Sequence, residues 1–188
     1  MPQLCTKVPK TAGPPATTGP RPLGVDVLFA DDRDMDTLII ETRALGTRPT
    51  AVVSADLDVY ELKTWLGQAF HTVADHLRAT RNTPTGLPFA RYHRLGRRRF
   101  HVEAGFPVAR LLEDDNGVQA SSLPAGDVAV TTHFGPYDDL ELTYQALAKW
   151  IDSRDAVPVG DAWEIYFSGP NEPPSQWRTD IYQPYRLV

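Results

Sequence analysis

Gly160-Asp161-Ala162-Trp163-Glu164-Ile165-Tyr166-Phe167-Ser168 decides how this chain is read. Aromatic and β-branched residues lie between turn signals, which is the composition of a strand. Strand side chains alternate, so Trp163, Ile165 and Phe167 share one face and Glu164, Tyr166 and Ser168 the other. The first set suits a core. The second sets a carboxylate beside a phenol ring, and an aromatic wall around an acid receives a lipophilic cation. On an exposed antiparallel face the same glutamate is an ordinary surface residue.

Working outward, helix and strand signals recur in one order. Leu38–Thr42 and Thr50–Ser54 read as strands. Asp58 is placed to cap a helix, whose stripe Leu62, Leu66, Ala69, Val73 and Leu77 has helical spacing, widened by Trp65 and Phe70. Asn82, Pro84 and Gly86 end it. A hairpin follows, Phe89–His93 and Phe100–Phe106 about a tip at Leu95-Gly96-Arg97. The order then repeats. A strand spans Asp127–Phe134, and a second helix carries Leu140, Tyr144, Leu147 and Ile151. Next come the strand at Trp163, a Pro-rich loop over 169–174 and a last strand near Arg178–Gln183. Gly86-Leu87-Pro88-Phe89-Ala90-Arg91-Tyr92 aligns without gaps on Gly160-Asp161-Ala162-Trp163-Glu164-Ile165-Tyr166, with Gly, a large aromatic and Tyr at shared offsets. The expectation is an internal duplication. Two strand-helix-hairpin units, about 37–110 and 120–188, form an α+β domain. It has a pseudo-two-fold antiparallel sheet and two main helices on one face. Tyr92 and Tyr166 become symmetric partners lining a groove, and Arg91 departs from the repeat and needs a partner.

Composition narrows the function. The 188 residues carry 19 Lys and Arg against 24 Asp and Glu, a net charge of −5, which disfavours nonspecific nucleic-acid binding. Residues 1–22 are rich in Pro, Thr and Gly and read as a disordered tail. Residues 23–36 read as a peripheral segment, with Val25–Phe29 as a short apolar element and a solvated loop holding Asp31, Asp32, Asp34 and Asp36. Cys5 lies in the tail, so neither a disulfide framework nor a zinc cluster is expected. No apolar run reaches the ~20 residues of a membrane span, and no signal peptide is legible, so the expected location is cytoplasmic. His71 and His76 are five apart, not the i, i+4 spacing of a metal pair, and His93 and His101 flank the hairpin tip without an evident third ligand. No metal and no cofactor are expected. There is no Gly-x-Ser-x-Gly elbow and no phosphate loop. Arg94, Arg97, Arg98 and Arg99 make a basic tip, read as a solvated hairpin end.

Ser122-Leu123-Pro124-Ala125-Gly126 leading to Val128-Ala129, His133-Phe134-Gly135-Pro136-Tyr137 opening a helix, Trp163-Glu164-Ile165-Tyr166, and Trp177-Arg178-Thr179-Asp180-Ile181 together resemble the gyrase-inhibitor-like (GyrI-like) small-molecule-binding domain, the effector-binding fold of multidrug-sensing regulators. Gly105-Phe106-Pro107-Val108 fits its first half, and the resemblance covers about residues 37–188. It implies a tandem fold that binds bulky hydrophobic, often cationic, compounds around a buried glutamate. The matching residue is Glu164, with Tyr166, Tyr92, Tyr137, Trp163 and Phe134 as ligand-binding candidates. His133 and Phe134 lie on opposite strand faces, so at most one of them lines the site. The first function read from this is a stand-alone sink or sensor for such molecules, a monomer or homodimer without direct DNA binding. The second is a hydrolase of cyclopropane-containing alkylating natural products, with Glu164 as general base and Tyr137 at the chemistry. The third is a protein-interaction module such as a topoisomerase modulator.

Overall fold

The computed structural model of the chain describes residues 25–28, 38–168 and 172–188. The readings of residues 1–22 as a tail and of the acidic loop at Asp31–Asp36 lie outside the described residues. Ten strands and two α-helices are present among them. In chain order they are β1 (Val25–Leu28), β2 (Leu38–Leu45), β3 (Arg48–Asp58), α1 (Leu62–Ala79), β4 (Phe89–Arg94), β5 (Arg99–Pro107), β6 (Gln119–Leu123) and β7 (Gly126–Phe134). They continue with α2 (Leu140–Asp152), β8 (Ala156–Pro158), β9 (Ala162–Tyr166) and β10 (Arg178–Leu187). The strands join in one antiparallel sheet, ordered β1-β2-β7-β10-β9-β4-β5-β3-β6, with β8 added along the end of β10.

The order of elements is the same on both sides of the central pair β9–β4. The unit β3-α1-β4-β5 is matched by β7-α2-β9-β10, and the sheet reads β7-β10-β9 on one side and β3-β5-β4 on the other. Ala90 and Glu164, equivalent in the gapless match, are register partners across that central pair. Duplication of one unit is our reading of this symmetry.

Register explains why the glutamate is buried. Directly paired residues share a face, and one row crosses seven strands as Val53, Ala104, Ala90, Glu164, Ile181, Thr131 and Ile40. This row lies under the helices. α1 covers one end, packing Leu66, Ala69 and Phe70 with Leu57, Ala90, Val102, Ala104 and Tyr166. α2 covers the other, packing Leu147, Trp150 and Ile151 with Ile40, Ala129 and Ile181. Glu164 stands in the middle strand of the row, between the two helices.

The opposite face has its own core. Trp163 and Tyr182 stack at 5.4 Å and 10°, with Val52, Phe89, Val128 and Val130, and Leu45 of β2 and Leu123 of β6 close over them. Arg91 lies on this side, paired with Glu103 and donating to the Ser122 carbonyl at 3.0 Å and to Ser121 Oγ at 3.3 Å. Its departure from the repeat is thus accommodated by a half-buried ion pair rather than by exposure to water.

Several boundaries differ from those expected. Asp58 is the last residue of β3, not the helix cap, because the strand continues past Ser54 and α1 starts only at Leu62, with Glu61 at its cap position. The Asp58 backbone N–H donates to Glu61 Oε2 at 2.8 Å and its Oδ1 accepts from the Tyr60 N–H. Phe167 falls just past β9 and is exposed rather than in the core with Trp163, because the strand ends at Tyr166. β6 and β8 add to the expected strands, and β10 continues to Leu187. Leu77 of α1 is fully buried against Ala51, Val73 and Val108. Leu77→Ala is expected to cost about 2–3 kcal/mol, read as a lower urea midpoint with unchanged slope.

Candidate functional site

A short strand with alternating faces carries the central carboxylate. Glu164 is only 5% exposed and Tyr166, two residues on, points the same way. Tyr92 arrives from β4, whose residue 90 faces Glu164 directly. Tyr144 arrives from α2, where the helical stripe turns it down onto the sheet. Three phenols converge. Tyr144 Oη donates to Glu164 Oε1 at 2.7 Å, and Tyr166 Oη donates to Oε2 at 2.7 Å. Tyr92 Oη lies 3.4 Å from Oε2 and 2.5 Å from Tyr166 Oη. The Tyr166 proton goes to the carboxylate, and the Tyr92 proton is shared between Tyr166 Oη and Oε2.

Two opposed effects act on the carboxyl. Burial disfavours its anion and pushes it above the ordinary carboxylate range, while hydrogen bonds from Tyr166, Tyr144 and Tyr92 and the proximity of His133 pull it down. Burial wins. Burial, followed by the neighbouring carboxylate, holds the Tyr92, Tyr144 and Tyr166 phenols well above their usual value, so all three stay protonated donors. Among the described residues no Lys or Arg is bonded to Glu164.

Tyr137 opens the short turn of 3₁₀ helix before α2 and closes the site from the side. Its ring meets Tyr166 edge-on, centroids 5.8 Å apart, and stacks against Trp177 at 4.6 Å and 32°. Phe70 of α1 meets the far side of Tyr166 at 5.6 Å. Burial, then the Glu164 charge, raises the Tyr137 phenol as well.

Of the six candidate residues, Glu164, Tyr166, Tyr92 and Tyr137 are brought together. Trp163 is held on the other face of β9, stacked on Tyr182, and Phe134 is 67% exposed at the end of β7. Between Phe134 and His133 the alternation turns His133 inward, where it is buried against α2. The sequence reading missed Tyr144, Phe70 and Trp177 as parts of this site. Tyr144 sat in a helical stripe that reads as core, yet it and Phe70 share the 74-residue offset of the repeat, a signal that was available.

His93 and His101 are register partners, each bonded to a carboxylate, Asp161 at 2.9 Å and Asp56 at 2.7 Å. Among the described residues no group of three or more His, Cys, Asp or Glu is arranged to hold a metal ion, and no helix is long and apolar enough to cross a membrane. Two surface cavities of about 240 and 170 Å³ lie elsewhere, one beside Arg81, Pro84 and Arg110, the other at Arg91, His93 and Glu103. Neither touches Glu164, which is sealed by its own aromatic neighbours.

Tyr144→Phe keeps the ring and removes one donor to a buried carboxylate oxygen. It is expected to cost about 1–3 kcal/mol at neutral pH. The loss should shrink in acid, where a protonated Glu164 needs that donor less. Thermal melts of wild type and variant at both pH values check this.

The fold has relatives among solved structures. EcmrR in its DNA complex within EcmrR-RPo superposes with a TM-score of 0.71 at 18% identity, covering 79% of this chain and 57% of that one, so the chain spans little more than half of EcmrR's length. The isolated EcmrR C-terminal domain gives 0.68 at 19% identity, covering 80% of this chain and 99% of that domain. A hydrolase from Listeria innocua gives 0.57 at 12% identity, covering 78% and 91%. SAV2435 bound to tetraphenylphosphonium gives 0.57 at 10%, covering 78% and 93%. At these identities the likeness is one of fold. No curated protein sequence matches the chain. The model of the GyrI-like small molecule binding domain matches residues 58–186, more than half the chain, and the protein belongs to that family.

Proposed function

We propose that this domain binds bulky lipophilic cations, as a sink or sensor, with Glu164 as counter-ion and Tyr166, Tyr92 and Tyr137 as aromatic walls. One observation carries the reading: a carboxylate 5% exposed whose bonded partners among the described residues are all neutral phenols. A buried anion without a cation is costly to hold. A cation placed between the rings relieves that cost and adds cation–π attraction. The Tyr137–Trp177 stack is the side from which a ligand enters, since those rings separate the glutamate from solvent without bonding to it. SAV2435, of the same fold, is seen with a lipophilic cation of this kind.

Titration of the protein with tetraphenylphosphonium and with a neutral tetraaryl analogue of the same shape tests this. The cation is expected to bind at least about tenfold more tightly, a difference of ~1.4 kcal/mol. Equal affinities, or no binding of either, overturn the proposal.

A second reading has one specific observation behind it. A carboxyl raised by burial, beside a phenol donor, suits a general base that activates water while a phenol orients an electrophile. Incubation with a cyclopropane-bearing alkylator distinguishes the two: ring-opened product with turnover supports hydrolysis, and binding without product supports the sink or sensor.

A further inference from the structure

His133 makes none of the carboxylate's hydrogen bonds, yet it is 7% exposed, on a strand adjoining β10 and under α2. Its Nε2 lies 3.0 Å from the Pro136 carbonyl oxygen and its Nδ1 2.9 Å from Thr143 Oγ1. A carbonyl only accepts, so Nε2 carries the proton. In the neutral ring Nδ1 then accepts from the Thr143 hydroxyl, and both nitrogens and the buried hydroxyl are satisfied. Pro136 is the residue immediately before Tyr137. It is extended, at φ −66° and ψ 150°, and its carbonyl also caps the 3₁₀ turn by accepting from the Asp139 N–H at 3.1 Å. Gly135, at φ +121°, donates its N–H to the Trp177 carbonyl at 2.9 Å. One imidazole N–H thus grips the short turn that carries Tyr137 and is tied to Trp177.

We infer that His133 is a positioning residue for the aromatic face of the site, its Nε2–H fixing Pro136 and so holding Tyr137 and Trp177 against Tyr166. The bond to Thr143 orients the imidazole. The bond to Pro136 sets where the rings stand. The inference about ligand affinity rests on the proposed cation-binding function, and the inference about ring placement stands without it.

Two substitutions separate the nitrogens. The amide nitrogen of His133→Gln reaches close to the Nε2 position and keeps a donor for Pro136. The amide of His133→Asn reaches only the Nδ1 position and keeps a partner for Thr143. Thr143→Val removes the other bond without touching the turn. Near-ultraviolet circular dichroism reads ring placement, with the wild type minus Trp177→Phe difference identifying the Tyr137–Trp177 band. The Gln and Thr143→Val variants are expected to keep that band and to bind tetraphenylphosphonium within about threefold of wild type. The Asn variant is expected to lose the band and about tenfold or more in affinity, although both histidine variants lose some thermal stability. Asn and Gln behaving alike, or Thr143→Val proving as damaging as Asn, overturns the inference. Nitrogen-15 NMR of the histidines in the wild type gives an answer that does not require any variant to fold. A proton on Nε2 of His133 supports the inference, and a proton on Nδ1 alone overturns it. If wild type fails to bind the cation, the proposed function fails, while the dichroism and NMR results still decide the role of His133.

Discussion

Glu164→Gln is expected to weaken binding of a lipophilic cation by about 10- to 150-fold, or ~1.5–3 kcal/mol, the worth of a charge-assisted contact away from water. The side chain keeps its shape, so a neutral analogue of the same size should lose less than about threefold. Stability should move the other way. The carboxyl titrates higher in the folded protein than in the unfolded chain, because burial outweighs the three phenol donors. Between the ordinary carboxylate range and that raised value the native state therefore binds the extra proton. Its stability falls as pH rises through this window and is flat above it. Glutamine has no such titration. The variant should be at least as stable as wild type at neutral pH, and its advantage should diminish as the solution is acidified from the raised value down to the ordinary carboxylate range. If the site is hydrolytic, Gln should still bind substrate but cut turnover by roughly 10²–10⁴-fold, since it cannot accept the proton of water. Calorimetric titration of both proteins with one cation, together with melts across pH, checks the whole set. Unchanged affinity and unchanged turnover would remove Glu164 from the site.

Gly105→Ala is expected to be the most destabilising single methyl in the sheet. Gly105 is buried in β5, paired with Val52 of β3 on one side and Phe89 of β4 on the other. A Cβ there would stand 1.9 Å from the Ala51 carbonyl oxygen and 2.9 Å from both the Ala51 carbonyl carbon and Val52 Cα. All three contacts are backbone, so no rotamer change relieves them. Either β3 separates from β5 or the strand twists away, and both break ladder hydrogen bonds beside the core. A cost on the order of 4 kcal/mol follows, at the upper end for single substitutions. Because β3, β5 and β4 are adjacent in the sheet, the same distortion would pass to Tyr92 and loosen the donors around Glu164. Gly46→Ala is the control. A Cβ there meets nothing within 4 Å, and the change should stay within about 0.5 kcal/mol. Urea unfolding of the two variants should separate widely, and a Gly105→Ala midpoint equal to that of Gly46→Ala would show that β3 yields freely.

Much of this architecture can be read directly from residue order. The helical stripes at Leu62–Leu77 and Leu140–Ile151, the hairpin about Leu95–Arg97, and the alternation at Trp163–Tyr166 each report a local period. Local periods survive folding because they are how one face of an element meets the core. The gapless match that sets Tyr92 against Tyr166 was legible for the same reason, through a shared offset. β6, Gln119–Leu123, and β8, Ala156–Pro158, were not visible. One is a polar edge strand and the other only three residues long, and both exist because a neighbouring strand supplies partners for their backbone. Burial of Glu164 also lay beyond the sequence. Alternation placed it opposite Trp163, but in an antiparallel sheet that opposite face can be wet or covered. The choice was made by register, which set Glu164 in a row with Ala90 and Ile181, and by two helices that roof that row from distant parts of the chain. Tyr144 shows the same limit from the helix side. Its position on an apolar stripe predicts a buried ring, but only the docking of α2 on the sheet decides that the hydroxyl ends 2.7 Å from a carboxylate. Sequence periodicity determines which way a side chain points within its own element, and what it meets there depends on long-range packing that no local pattern encodes.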